Sequence, residues 1–325
     1  MQRRNILKGI AIFGSYMSML DAYACKDSAP RTIHTEKPDF PDIKIFKISK
    51  PGNYILIEDQ IQKSRMRVRG GWMAPTEGGM LNILSGSVTL DLNGHTIGAD
   101  LNKTGIVLYP SVNATFANNW PLKYAPDSLD SRFVSIKNGT VDLARGEFTG
   151  GAIDFSNRWG GQNQRTDGRP ILGMESNPEV DYIKNEYTFE QMKILAHSIA
   201  LAVEGTHTII RNCVVESADL AAIFIAGDHA LIENCEIRLR KPRRKRWEPR
   251  AAIVLRDGSN ATIRNNVIRV DGGSDSESYG ILVRDGALEV IIDNNTFVNT
   301  RENSIHLADG STAIVRDNKF EKHWF

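Results

Sequence analysis

Arg256 and Arg284 end two closely similar apolar runs, AIVLR and GILVR, and each is followed by Asp-Gly. Stacked one repeat apart, two like charges repel, an arrangement that makes sense when an anion lies between or across them. A sugar carboxylate has the right charge and shape. Asp154 and Glu204 offer a second chemistry. Two carboxyl groups within the roughly 5 to 9.5 Å window of glycosidases serve as general acid and as base or nucleophile. His306 and Tyr109 are proton acceptors on equivalent strands. Against these uses stands plain neutralisation: of the arginines by Asp257, Asp285 or acidic loops, and of the two carboxylates by arginines.

Trp120, Trp159 and Trp247 fall where the repeat is interrupted, and their amphipathic rings suit either the apolar faces of sugars or the pinning of their own loops. Trp247 lies in RLRKPRRKRWEPR, Arg238 to Arg250, the densest charge run in the chain, with Arg243, Arg244 and Arg246 at its centre. This run reads as a basic wall toward a polyanion, or as a clasp for the acidic DGGSDSESY at the same corner of the next repeat.

The elements that position these residues repeat. Copies begin at Ala222 (AIFIAGDHALIENCEI), Ala252 (AIVLRDGSNATIRNNVI), Gly280 (GILVRDGALEVIIDNNTF) and Ser304 (SIHLADGSTAIVRDNKF). Shorter echoes occur at Ser87 (SVTLDLNGHTI), Phe133 (FVSIKNGTV) and Thr208 (TIIRNCVV), which makes about seven turns of a solenoid whose units bury their apolar sides by stacking. Each turn contains three short strands, with Asn93, Asn138, Asn212, Asn234, Asn265 and Asn294 at the corner after the second. Asn tolerates left-handed backbone, and its amide can bond an identical amide one rung away. The outward column of the second strand, Arg211, Glu233, Arg264, Asp293 and Arg316, alternates in sign as a salt-bridge ladder should. Arg256 and Arg284 break that alternation.

The three-strand period and the Asn corner resemble the pectate lyase-like superfamily of right-handed parallel β-helices, over roughly residues 81 to 325. The resemblance implies an all-β, right-handed parallel β-helix solenoid, with a substrate groove along the strand after the variable corner. The catalytic signatures of polygalacturonases, pectin methylesterases and the better-known alginate lyases are not found, so it implies architecture without a particular activity. Along the groove strand, alternation turns outward Val107 and Tyr109, Asp154 and Ser156, Ala202 and Glu204, Phe224 and Ala226, Val254 and Arg256, Leu282 and Arg284, and His306 and Ala308. The expected activity is binding of an acidic polysaccharide and its cleavage by β-elimination. Arg256 or Arg284 would neutralise the uronate carboxylate, and His306 or Tyr109 would take the neighbouring proton. Hydrolysis by Asp154 and Glu204 is the alternative chemistry, and a non-catalytic carbohydrate-binding or cell-surface structural role the alternative class.

The chain of 325 residues, 41% hydrophobic, suffices for a large core, and its net charge of +1 gives no global pull toward nucleic acid or an anionic membrane. Residues 1–24 read as an export signal: a basic start, an apolar run and the small-residue site Ala22-Tyr23-Ala24. Arg3-Arg4-Asn5-Ile6-Leu7-Lys8 resembles the twin-arginine motif, so a periplasmic or extracellular location is expected. Gly9 and Gly14 interrupt the apolar run, which is too short for a membrane span. Cys25 permits a lipoprotein reading, weakened because Ala22 stands where a branched apolar residue is usual.

Residues 25–80 form a lead-in and cap, in which Ile43 to Ile61 are either first strands or an end cover. Residues 81–325 form the β-helix, with long loops at 113–131, 157–190, 238–250 and 271–279. Cys213 and Cys235 share one place in consecutive copies, within disulfide range or stacked as core thiols. No His/Cys spacing suggests zinc, and no cofactor is expected. A Ca2+ site built from Asp257, Asp285 and Asp309 lacks the dense run of oxygen ligands that such sites show.

Overall fold

The computed structural model describes residues 30–32, 35–36, 45–62, 80–83, 85–99, 105–108, 131–144, 152–155, 184–241, 250–256, 258–271, 278–284, 286–299 and 304–321. Every helix-or-strand element among them is a β-strand, and all but one pairing runs parallel. Apart from Thr35–Glu36 with Ile45–Ile48, consecutive strands among the described residues do not pair with each other. Each pairs with its counterpart one turn later, so the chain coils and its short aliphatic strands stack face on face.

The coil has three faces. The first is a ten-stranded sheet that includes Ile199–Glu204, Ala221–Ala226, Arg250–Arg256, Ser278–Arg284 and Ile305–Leu307. The second and third merge into one 17-stranded sheet, because the 13-residue strands Ser131–Leu143 and Lys184–Ala196 run on through the corner between them. Strict register keeps like residues in columns. Leu201, Ile223, Ile253 and Ile281 line the interior from the first face, Ile210, Ile232, Ile263 and Ile292 from the second, and Val215, Ile237, Ile268 and Phe297 from the third. All twelve are fully buried, and each contributes about 1.5 to 3 kcal/mol.

Stacking starts upstream of residue 81. Ile45–Ile48, Gly52–Ile55 and Gln60–Gln62 lie parallel to Leu81–Ile83, Ser87–Asp91 and Thr96–Ala99, so the described part of this segment, from Ile45, supplies first strands. The strands Arg31–Thr32 and Thr35–Glu36 add to that rung, the second of them antiparallel. The interruptions in turn are narrower than the spacing suggested. Ser131, residues 184–190, Arg238, Leu239, Arg250, Ser278 and Tyr279 all belong to strands. In Lys184–Ala196 the buried Tyr187, Phe189, Met192, Ile194 and Ala196 form the inward set of a rung whose corner residue is Gln191 rather than Asn.

The six corner asparagines all adopt positive φ, between 50° and 58°, and Gln191 and Asp317 complete the set. Their amides do not form one continuous column. Asn294 donates to Asn265 at 2.7 Å, whereas the Asn138 amide turns to Asp91. The continuous ladder lies one residue on, inside the coil. Asn295 Oδ1 accepts from Asn266, and Asn318 Oδ1 accepts from Asn295, each from both the backbone N–H and the side-chain amide at 2.9 to 3.0 Å. In the two rungs before Asn266, Cys213 and Cys235 occupy this same inward position as free, buried thiols. Their contact with each other, reinforced by burial, pushes the Cys235 thiol far up, so it stays protonated.

The alternating column on the second face is longer than the sequence suggested. Asp91, Lys137, Glu190, Arg211, Glu233, Arg264, Asp293 and Arg316 stand opposite one another in turn. Ion pairs form at 3.8 Å for Lys137–Asp91, 3.0 Å for Arg211–Glu190, 2.7 Å for Arg264–Glu233 and 3.4 Å for Arg316–Asp293.

Candidate functional site

Two columns of residues in register cross the first face. One runs Val107, Asp154, Ala202, Phe224, Val254, Leu282, His306, and the other Glu204, Ala226, Arg256, Arg284. Their order is the one that strand alternation predicts. Their exposure is not. Ala202, Phe224, Ala226, Val254 and Leu282 are buried, and with Ile199, Leu220, Ala221 and Ala251 they form a second apolar cluster on the outer side of the sheet. The middle of the strip is therefore closed to solvent rather than an open mixed groove.

The charged residues sit at the margin of this cluster. Arg256 stands directly opposite Arg284, and Glu204 lies two rungs away from Arg256 across the side chain of Ala226. Glu204 and Arg256 are each only 6% exposed, Arg284 is half-buried, and all three have interaction partners. Asp154 pairs with Ala202, which sets Asp154 and Glu204 on adjacent strands with the two-residue offset expected from sequence. His306 is exposed, pairs with Leu282, and stacks on Tyr279 at 4.9 Å between ring centres. Being offset by two residues on the next strand, His306 and Arg284 have Cα atoms about 8 Å apart. A sugar unit fits between such side chains.

Sequence reading missed Tyr279, which it counted as the end of the acidic loop; the structure makes it the second residue of the strand Ser278–Arg284. Arg250 also departs from expectation. It leaves the basic run for the interior, where it is fully buried and donates to the carbonyl oxygens of Asp219, Ala218 and Arg240. Arg238 pairs with Asp271, so at this point the basic run and the acidic loop do clasp one another. Tyr109, Trp120, Trp159, Trp247, Arg243, Arg244 and Arg246 lie outside the described residues, as do residues 1–24, Cys25, Asp257 and Asp285. No group of three or more His, Cys, Asp or Glu among the described residues could hold a metal ion. Among the described residues no helix is long and apolar enough to cross a membrane.

Away from this face, a shallow depression of about 480 Å³ follows the corner between the second and third faces, lined by Asn138, Thr140, Gln191, Lys193 and Asn212 among others. It holds no acid–base pair.

Residues 180–325 match the family described as "Right handed beta helix region". The chain is a right-handed parallel β-helix. Two solved structures of bacteriophage tailspike protein 2 share this β-helix architecture. One is the full-length protein from the Escherichia coli O157:H7 bacteriophage CAB120, with a TM-score of 0.55 at 10% identity over 86% of this chain and 33% of that one. The other, the enzymatically active domain of the bacteriophage CBA120 protein, gives a TM-score of 0.51 at 11% identity over 86% and 37%. The β-helix thus spans about a third of the length of the structures it matches. No curated protein matches the chain.

Proposed function

We propose that this β-helix is an exported carbohydrate-active protein that binds an acidic polysaccharide at the C-terminal part of its first face and cleaves it by β-elimination. The observation that carries the reading is the unalternated pair Arg256–Arg284 beside the exposed His306, which stacks on the half-buried Tyr279, on a protein whose other charge column alternates along its length. Arg284, the more accessible of the pair, receives the uronate carboxylate, with Arg256 opposite it one rung earlier. Neutralising the carboxylate acidifies the adjacent C–H. His306 takes that proton, the electron pair forms the C=C bond, the C–O bond to the leaving sugar breaks, and the leaving oxygen takes a proton from water. The Tyr279 ring beside His306 gives a sugar an apolar face to lie on. The likeness to an enzymatically active tailspike domain supports a catalytic use of the fold, and the export signal read in residues 1–24 fits a polymer outside the cytoplasm.

Hydrolysis by Asp154 and Glu204 is supported by their two-residue offset on adjacent strands. One experiment separates the chemistries. Protein lacking residues 1–24 is incubated with a panel of uronic-acid and neutral polysaccharides while ultraviolet absorbance of unsaturated products and new reducing ends are followed together. Both signals rise for a lyase, and reducing ends alone rise for a hydrolase. Binding without either signal overturns the catalytic reading and leaves a carbohydrate-binding role.

A further inference from the structure

His207 and His229 stand one turn apart on the outside of the second face, each two residues before the register pair Ile209 and Leu231. Both are exposed, and their rings stack at 5.0 Å between centres with 17° between planes. Among the described residues neither ring is hydrogen-bonded or ion-paired, whereas the His95 ring is committed to Asp59. Each imidazole, when neutral, therefore keeps a nitrogen lone pair for a ligand.

The neighbours of the two rings suit a cation. Glu186 stands opposite His207 on the preceding rung. On the following rungs Asn260 and Glu289 hold the same left-handed corner place as His229, with φ of 59° and 55° against 56°. From Glu186 to Glu289 the column thus offers imidazole, carboxylate and amide groups, with no Lys or Arg to repel a positive ion.

We propose that His207 and His229 together bind one divalent transition-metal ion of the Zn2+, Ni2+ and Cu2+ class, with water at its remaining positions. Such an ion takes imidazole nitrogen at about 2.0 to 2.1 Å, so two nitrogens about 3 Å apart hold it. Rings whose centres lie 5.0 Å apart reach that separation by tilting toward each other, and the broad terminal torsion of an exposed histidine allows the tilt. Imidazole selects this class over Mg2+ and Ca2+, which take oxygen ligands. The ion fastens the strand His207–Arg211 to the corner ahead of Leu231–Glu233. Its place is on the 17-stranded sheet, whereas Arg284 and His306 belong to the ten-stranded one, so the site is separate from the chemistry proposed above.

Calorimetric titration tests this, using protein without a histidine tag that has been stripped by a chelator and then freed of it. With Zn2+ the expected result is saturable binding and a thermal midpoint that rises with metal concentration; Ca2+ gives neither. His207→Gln or His229→Gln alone lowers Zn2+ affinity at least about tenfold, a loss that even the partners of metal ligands can cause. His95→Gln leaves the affinity unchanged. Substoichiometric Cu2+, being paramagnetic, broadens the ring-proton resonances of His207 and His229 before those of the other histidines, and circular dichroism verifies that each variant is folded. Absence of saturable Zn2+ binding, equal binding of Ca2+, affinity indifferent to either substitution, or broadening that begins at other histidines each overturns the proposal.

Discussion

Asn295 Oδ1 accepts both the backbone N–H and the side-chain amide of Asn266 at 3.0 Å, while Asn295 Nδ2 donates to Ile263 O at 2.9 Å and to Asn318 Oδ1 at 3.0 Å. All of this happens inside the coil, where an unmet amide costs its full desolvation. Asn295→Ala removes the shared acceptor and strands donors on Asn266. We expect a loss of about 2 to 4 kcal/mol, read from a urea midpoint. Because each rung contacts only its neighbours, amide exchange should quicken in residues 290–321 before it does in residues 207–239. Uniform quickening along the coil would contradict this.

Arg264 contacts Glu233 through two nitrogens, at 2.9 and 2.7 Å, and stands between Glu233 and Asp293 in the alternating column. Arg264→Glu turns that stretch into three consecutive acids. Exposed pairs are worth up to about 1 kcal/mol each, so the expected loss is about 1 to 2 kcal/mol at low salt. In about 1 M salt the screening length falls to roughly 3 Å and the difference should shrink by more than half. An equal loss at both salt concentrations would mean that packing, not charge, is responsible.

The columns of this fold were legible because strand alternation and the Asn corner are both local. Arg211, Glu233, Arg264, Asp293 and Arg316 fell into register as spacing alone dictated, and so did Arg256 with Arg284. What alternation cannot give is what lies beyond the sheet. Phe224, Val254 and Leu282 point out of the coil, yet they are buried in an outer cluster. The ladder was misplaced by one residue for a related reason. In Asn265-Asn266 and Asn294-Asn295 both residues carry the same amide, and only the left-handed backbone of the first decides that the second points inward. The rung of Lys184–Ala196 stayed hidden because Gln191 holds the left-handed corner without the Asn that marks it elsewhere.

Asp59 joins two turns near the start of the coil, accepting the backbone N–H of Thr96 at 2.9 Å and meeting His95 Nδ1 at 3.2 Å. The hydrogen bond from Thr96, helped by His95, holds its carboxyl below the ordinary carboxylate value. A depressed value means that the folded state favours the ionised form. Its stabilisation is therefore present above the unfolded-state value, about 3.9, and is lost as pH falls through the lower folded value. Asp59→Asn should lower the thermal midpoint at neutral pH, and the gap to the unaltered protein should narrow as the pH drops below about 4. A gap that stays constant through the acid range would show that the carboxylate charge is not what matters there.

Arg284 and Arg264 make a matched pair of tests for the proposed chemistry, since both are strand arginines on the outside of the coil but on different faces. If Arg284 receives a uronate carboxylate, Arg284→Ala removes a charge-assisted hydrogen bond worth about 1.5 to 3 kcal/mol, and kcat/KM on an acidic polymer should fall roughly 10- to 100-fold. Arg284→Lys keeps the charge and loses the planar fork, so it should recover only part of that loss. Arg264→Ala should leave turnover unchanged. His306→Gln should lower kcat more than it raises KM, as expected of a group that acts on a proton in the transition state rather than in binding. An Arg284→Ala protein with full activity, set beside inactive Asp154→Asn and Glu204→Gln proteins, would instead move the chemistry to the paired carboxylates and to hydrolysis.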